Sequence, residues 1–154
     1  MIASLLFLAF CAFVPGIECS NAAENQNRLQ FLLSFPAGLS QEALDGRMLL
    51  LISDNNDAEP RFQISTGPQS QLVYGIDVDG LGPGESAVID GGVFGYPLKS
   101  ISDIPPGEYW IQGLLNRYET FHRADGHTVK LPPDKGEGQK WNRKPGNFYS
   151  LPQR

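Results

Sequence analysis

"PPGEYWIQGLLNRY", residues 105–118, reads as a tight turn followed by a long strand. Pro105-Pro106-Gly107 supplies the turn, and the residues from Glu108 to Tyr118 put aromatic and aliphatic side chains on both faces of a pleat. "GRMLLLISD" (46–54) is a second such stretch, apolar on both sides and therefore central in a sheet. These two segments place the chain among β proteins, and the remaining segments agree with them. "RLQFLLSF" (28–35) reads as a strand closed by Pro36, "RFQIS" (61–65) as a half-buried strand, and "QLVYGIDVD" (71–79) and "SAVID" (86–90) as two more. "DNNDAEP" (54–60) and "GLGPGE" (80–85) carry the Asx, Gly and Pro residues of turns. No segment sustains helical periodicity over three turns, and only "LSQEALDG" (39–46) suits a single helical turn. Short strands at intervals of about ten residues predict an all-β fold, an antiparallel sandwich, with an immunoglobulin-like topology preferred over a jelly roll.

The chain has 154 residues, enough for one core and too few for two. At 41% hydrophobic and 19% charged it is neither a disordered tract nor a membrane bundle. The start, "MIASLLFLAFCAFVPG", is too short an apolar run to span a bilayer well and fits the core of a secretory signal peptide, residues 1–22, cleaved after Ala22. Cleavage after Cys19 is the alternative, and Glu18 argues against a lipoprotein. Either cut removes both cysteines, Cys11 and Cys19, so the expected product is a soluble secreted or periplasmic protein without disulfides. Residues 23–131 form the expected sandwich domain, and 132–154, rich in Pro, Gly and charge, an extended tail or linker packed on it. Residues 23–122 carry 13 acidic and 5 basic side chains, whereas 123–154 carry 3 acidic and 7 basic ones. A basic tail lying on its own acidic body is the simplest account of that split. Nucleic acid is excluded as a partner, because the body would repel phosphate.

No catalytic constellation is present in the pattern. Gly84-Glu85-Ser86-Ala87-Val88 lacks the second glycine and the helix of a nucleophile elbow. "DVDGLGPGE" (77–85) fails the calcium-loop spacing, and "DNNDAE" (54–59) reads as a solvated turn. The remaining candidates gather late in the chain. "HRADGH" (122–127) holds both histidines, and a hairpin turning on Asp125-Gly126 as a two-residue loop would set His122 opposite Val129. His122 and His127 would then be diagonal neighbours, with Cα atoms about 7–8 Å apart. Three readings follow: a structural hairpin, a contact surface, or a metal pair with Asp125 as third ligand. No cysteine or further histidine completes a metal shell, so no metal or other cofactor is assigned. Trp141, in a polar stretch, either pins the tail to the body or stacks on a carbohydrate or peptide ligand.

The pieces "EPRF" (59–62), "PPGEYWIQGLLNRYETFHRADGHT" (105–128) and "EGQKWNRKPGN" (137–147) resemble the N-terminal segment of large secreted bacterial proteins of the esterase-like α/β-hydrolase class. The similarity runs over residues 28–152. In that class a β-sandwich module precedes the hydrolase domain, so the resemblance implies a non-catalytic accessory module that supports or positions a hydrolase. This sequence ends at Arg154, and no catalytic residue carries over from the resemblance. A free-standing carbohydrate- or peptide-binding module and a small metal-dependent enzyme are the competing readings.

Overall fold

The computed structural model describes residues 29–154; the signal-peptide reading and both cysteines lie outside the described residues. Nine strands form among the described residues: β1 (Phe31–Leu33), β2 (Leu44–Ser53), β3 (Leu72–Leu81), β4 (Ala87–Ile89), β5 (Gly95–Tyr96), β6 (Trp110–Arg117), β7 (Glu119–His122), β8 (Thr128–Leu131) and β9 (Phe148–Tyr149). Five of them make an antiparallel sheet in the order β5-β3-β2-β6-β9. β1 and β4 pair as a second, two-stranded layer, and β7 and β8 form a separate hairpin. The fold is all-β, antiparallel and sandwich-like. Its layers divide five and two, where an immunoglobulin constant-type sandwich divides seven strands four and three.

β2 is central because both of its faces are buried. Met48, Leu50 and Ile52 meet Tyr74, Leu115, Ile101 and the β1–β4 layer, whose inward residues include Ala87 and Ile89. Leu49 and Leu51 turn the other way and join Leu114, Val73 and Ile64. Alternation along the strand allows this double burial, since successive side chains point to opposite faces. A bulge between Leu44 and Gly46 interrupts the β2–β3 register. Asp45, at the bulge, accepts the Gly80 N–H on its carboxylate at 2.8 Å and the Tyr118 N–H on its carbonyl at 2.9 Å. Gly46 admits no side chain, because a Cβ there would stand 2.5 Å from the Asn116 carbonyl oxygen.

Three expectations need correction. Residues 61–65 are not a strand: Pro60–Phe62 form a 3₁₀ turn closed by Phe62 N–H to Glu59 O and Gln63 N–H to Pro60 O. Pro60 fixes its own φ and lacks a donor, so it starts such a turn well and serves a ladder badly. The alternation that suggests a strand instead packs a partly buried Ile64 against the second face. Residues 39–46 make no helical turn; the chain turns at Pro36–Leu39 and enters β2 at Leu44. The tail, read as free of core strands, contributes β9, which pairs with Leu114 and Leu115, and an isolated bridge between Ile111 and Gln153. Phe148 earns that place by packing on Phe35, ring centres 5.8 Å apart.

Candidate functional site

The histidine hairpin forms, with a different turn. Arg123 N–H donates to His127 O at 2.8 Å and Gly126 N–H to Arg123 O at 3.0 Å. The loop is therefore the three residues Ala124-Asp125-Gly126, with Gly126 in the left-handed region at φ 84°. This one-residue slip sets His122 opposite Thr128, with Nδ1 3.1 Å from the threonine hydroxyl, and His127 opposite Arg123. Neighbouring cross-strand pairs face opposite sides, so the two imidazoles diverge and the diagonal metal pair does not arise. Asp125 is engaged by the turn itself: one oxygen accepts the His127 N–H at 3.2 Å and the other pairs with Arg123 at 2.8 Å. Among the described residues no three His, Cys, Asp or Glu side chains come together as a metal would need.

The hairpin is held to the sheet by charge. Lys130 Nζ lies 2.8 Å from Asp45 and 2.6 Å from Asp79. Lys130, together with the Gly80 N–H, holds the Asp45 carboxyl below its usual range, and both aspartates push the lysine up. Tyr118 donates to Asp77 at 3.0 Å, and burial followed by that carboxylate raises its phenol. Lys135 pairs with Glu119, and Arg154 with Glu108. The basic segment thus lies on the acidic body, as its charge split suggests.

A second cluster fastens the tail across the outer sheet face. Gln112 is fully buried in β6; its amide donates to Glu59 and to Ser150 O, each at 2.8 Å, and its oxygen accepts the Arg61 N–H at 3.1 Å. Arg61 pairs with Glu59 at 2.8 Å and donates to Asn142 O, while the Asn142 amide donates back to Arg61 O, both at 3.1 Å. The Arg61 guanidinium stacks 3.8 Å above Tyr149 and 4.3 Å from Phe62. Arg61, then Gln112, keeps the Glu59 carboxyl below its ordinary value. Further along, buried Asn147 donates to Asn116 and to Trp141 O and accepts the Arg117 N–H. Lys144, also buried, donates to Arg117 O at 2.6 Å, and burial lowers its ammonium. Trp141 is half-buried against Leu49, Leu51 and Leu114. That is the pinning geometry. His122, Asp125 and His127 belong to the hairpin tip, and Trp141 belongs to the clasp; no shared site joins them.

Concavities also mark the surface of the described residues. An apolar groove of about 450 Å³ opens between β1 and the β6–β9 edge, lined by Phe31, Leu33, Met48, Leu115 and Phe148, with Leu32 and Tyr149 exposed at its mouth. A smaller recess of about 310 Å³ is bounded by Asn56, Ala58, Glu59, Pro60, Trp110 and Pro152. Sequence reasoning passed over Gln112 and Trp110. The polar Gln112 inside an apolar strand is the one signal for the first; nothing separates Trp110 from the other aromatic and aliphatic residues of its strand.

These features define an antiparallel, sandwich-like β domain with a tail stitched to its sheet. No family model matches the chain, and no significant match to it is found among curated proteins or solved structures.

Proposed function

We propose that this chain is a secreted or periplasmic, non-catalytic accessory module that supports or positions a hydrolase, either as a neighbouring domain or as a partner protein. The reading takes its sandwich as a reduced immunoglobulin-like one. The observation that carries it is the fate of the residues on which the hydrolase resemblance rests. Glu59 and Arg61 of "EPRF", Gln112 of the long strand, and Asn142 and Asn147 of the tail motif bind one another or the sheet. They act as a scaffold, and the segment up to Gln153 is fixed to the sheet edge by its bridge to Ile111. A rigid platform of that kind suits a domain whose work is to hold another in place. Trp141 supports a free-standing carbohydrate or peptide binder poorly, because much of its ring packs against Leu49, Leu51 and Leu114.

An antibody against residues 29–154, applied to the medium and envelope fractions of the producing organism, tests the proposal. A product much longer than this chain whose peptide map contains hydrolase sequence, or a co-precipitated hydrolase, supports it. A short product that brings down no hydrolase overturns it.

A further inference from the structure

The recess beside Trp110 has the makings of a small-ligand site that the hydrolase-supporting role does not use. Three distant parts of the chain build it: the 56–60 turn, the first residue of β6 and Pro152 of the tail. Trp110 and Pro152, both partly exposed, supply ring surface, and the fully buried Pro60 closes the floor. Glu59 supplies a fixed charge. Its Oε2 accepts from Arg61 Nε and Gln112 Nε2, each at 2.8 Å, and the side chain is still 38% exposed. Its carboxyl lies below the ordinary range, with Arg61 the first cause, so it is ionised at neutral pH. Asn56 is exposed at the rim; the neighbouring Asn55 donates to Asp54 and accepts the Asp57 N–H.

Ring surfaces beside an oriented carboxylate and an available amide meet the needs of one ligand class. A sugar ring presents an apolar C–H face to stack on aromatic and proline rings. Its hydroxyls donate to a carboxylate, and they both give to and take from an amide. The recess is at the small end of the range for ligand pockets, which suits one sugar unit and no more. The Glu59 charge disfavours uronic or sulfated sugars and favours neutral or amino-bearing ones. We propose that the Trp110 recess binds a single neutral or amino hexose unit. This inference does not depend on the presence of a hydrolase.

Trp141→Phe leaves Trp110 as the sole tryptophan of the sequence, so its fluorescence reports on the recess alone. In that background the protein is titrated with methyl glucoside, methyl galactoside, glucosamine and glucuronate. The expected result is a saturable change with at least one of the first three, with Kd on the order of 1 mM, and none with glucuronate. Adding Asn56→Ala, with folding confirmed by circular dichroism, weakens that binding about fivefold, the loss of one hydrogen bond. Absence of a saturable change with all four sugars overturns the proposal. So does undiminished binding in the Asn56→Ala protein, or glucuronate binding as well as the neutral glycosides.

Discussion

Gln112 shows how a single side chain decides what the outer face of the sheet can carry. It is fully buried and satisfies the Arg61 amide, the Glu59 carboxylate and the Ser150 carbonyl at once. Gln112→Leu keeps the volume but orphans those groups, and a loss of about 2–4 kcal/mol is expected in urea unfolding. Tyr74 acts on the opposite face. Its hydroxyl donates to Ser100 O at 3.2 Å, and burial, helped by the Asp103 charge, pushes it up to about 12 from an ordinary 10.0. Because the folded state prefers the neutral phenol, the stability from this burial is complete below pH 10 and is lost as pH rises through about 12. Thermal melts across that window should fall steeply in the native protein and less steeply in Tyr74→Phe. The variant gives up about 1 kcal/mol at neutral pH with the Ser100 bond. Gly95 lies against this ring, where a Cβ would come 2.1 Å from Tyr74 Cδ1, so Gly95→Ala should destabilise without touching any polar group.

The β7–β8 hairpin is the element whose existence the sequence announced and whose register it did not. Asp-Gly between two short β-like runs signals a turn, but two-residue and three-residue loops both accommodate that pair. The hydrophobic pattern cannot arbitrate, because the residues of β7 are all exposed and only Val129 of β8 is partly covered. The left-handed Gly126 and the Arg123–His127 pairing settle it. Gly126→Ala is expected to cost about 1 kcal/mol of hairpin stability, read from the loss of the cross-strand nuclear Overhauser contacts of His122 and Thr128. Lys130 anchors the element through Asp45 and Asp79. The Asp45 carboxyl is depressed in the fold, so its contribution is present above the ordinary 3.8 and fades as pH falls through the lower folded value. The Gly80 amide shift, which reads the Asp45 carboxylate directly, should therefore move in strong acid, and Lys130→Met should bring that transition to higher pH.

For the molecule as a whole, the decisive prediction concerns residues 132–154. Removing them uncovers Leu49, Leu51 and Leu114, takes β9 from the sheet edge and leaves Gln112 without Ser150. A chain ending at Leu131 is expected to lose its cooperative thermal transition and to aggregate, as calorimetry and light scattering would register. That outcome would make the tail part of the folding unit rather than an appendage to a 23–131 domain. Composition hid this, since a Pro/Gly-rich segment carrying seven basic residues with its neighbours from 123 onward looks like a linker. Its packing depends on a partner, the Pro60–Phe62 turn, which overlaps the segment 61–65 whose alternation suggests a strand. What the sequence determined by itself was the class: strand periodicity, Asx/Gly/Pro turns and the doubly apolar "MLLLI" of β2 require an antiparallel β core with β2 inside it. Tertiary structure alone decided the hairpin register, the clasp of Arg61 on Tyr149 and Asn142, and the recess around Trp110. The physical reason is range. Periodicity and turn chemistry act between near neighbours and are written locally. A site made from residues 56, 110 and 152 exists only after the chain has closed on itself.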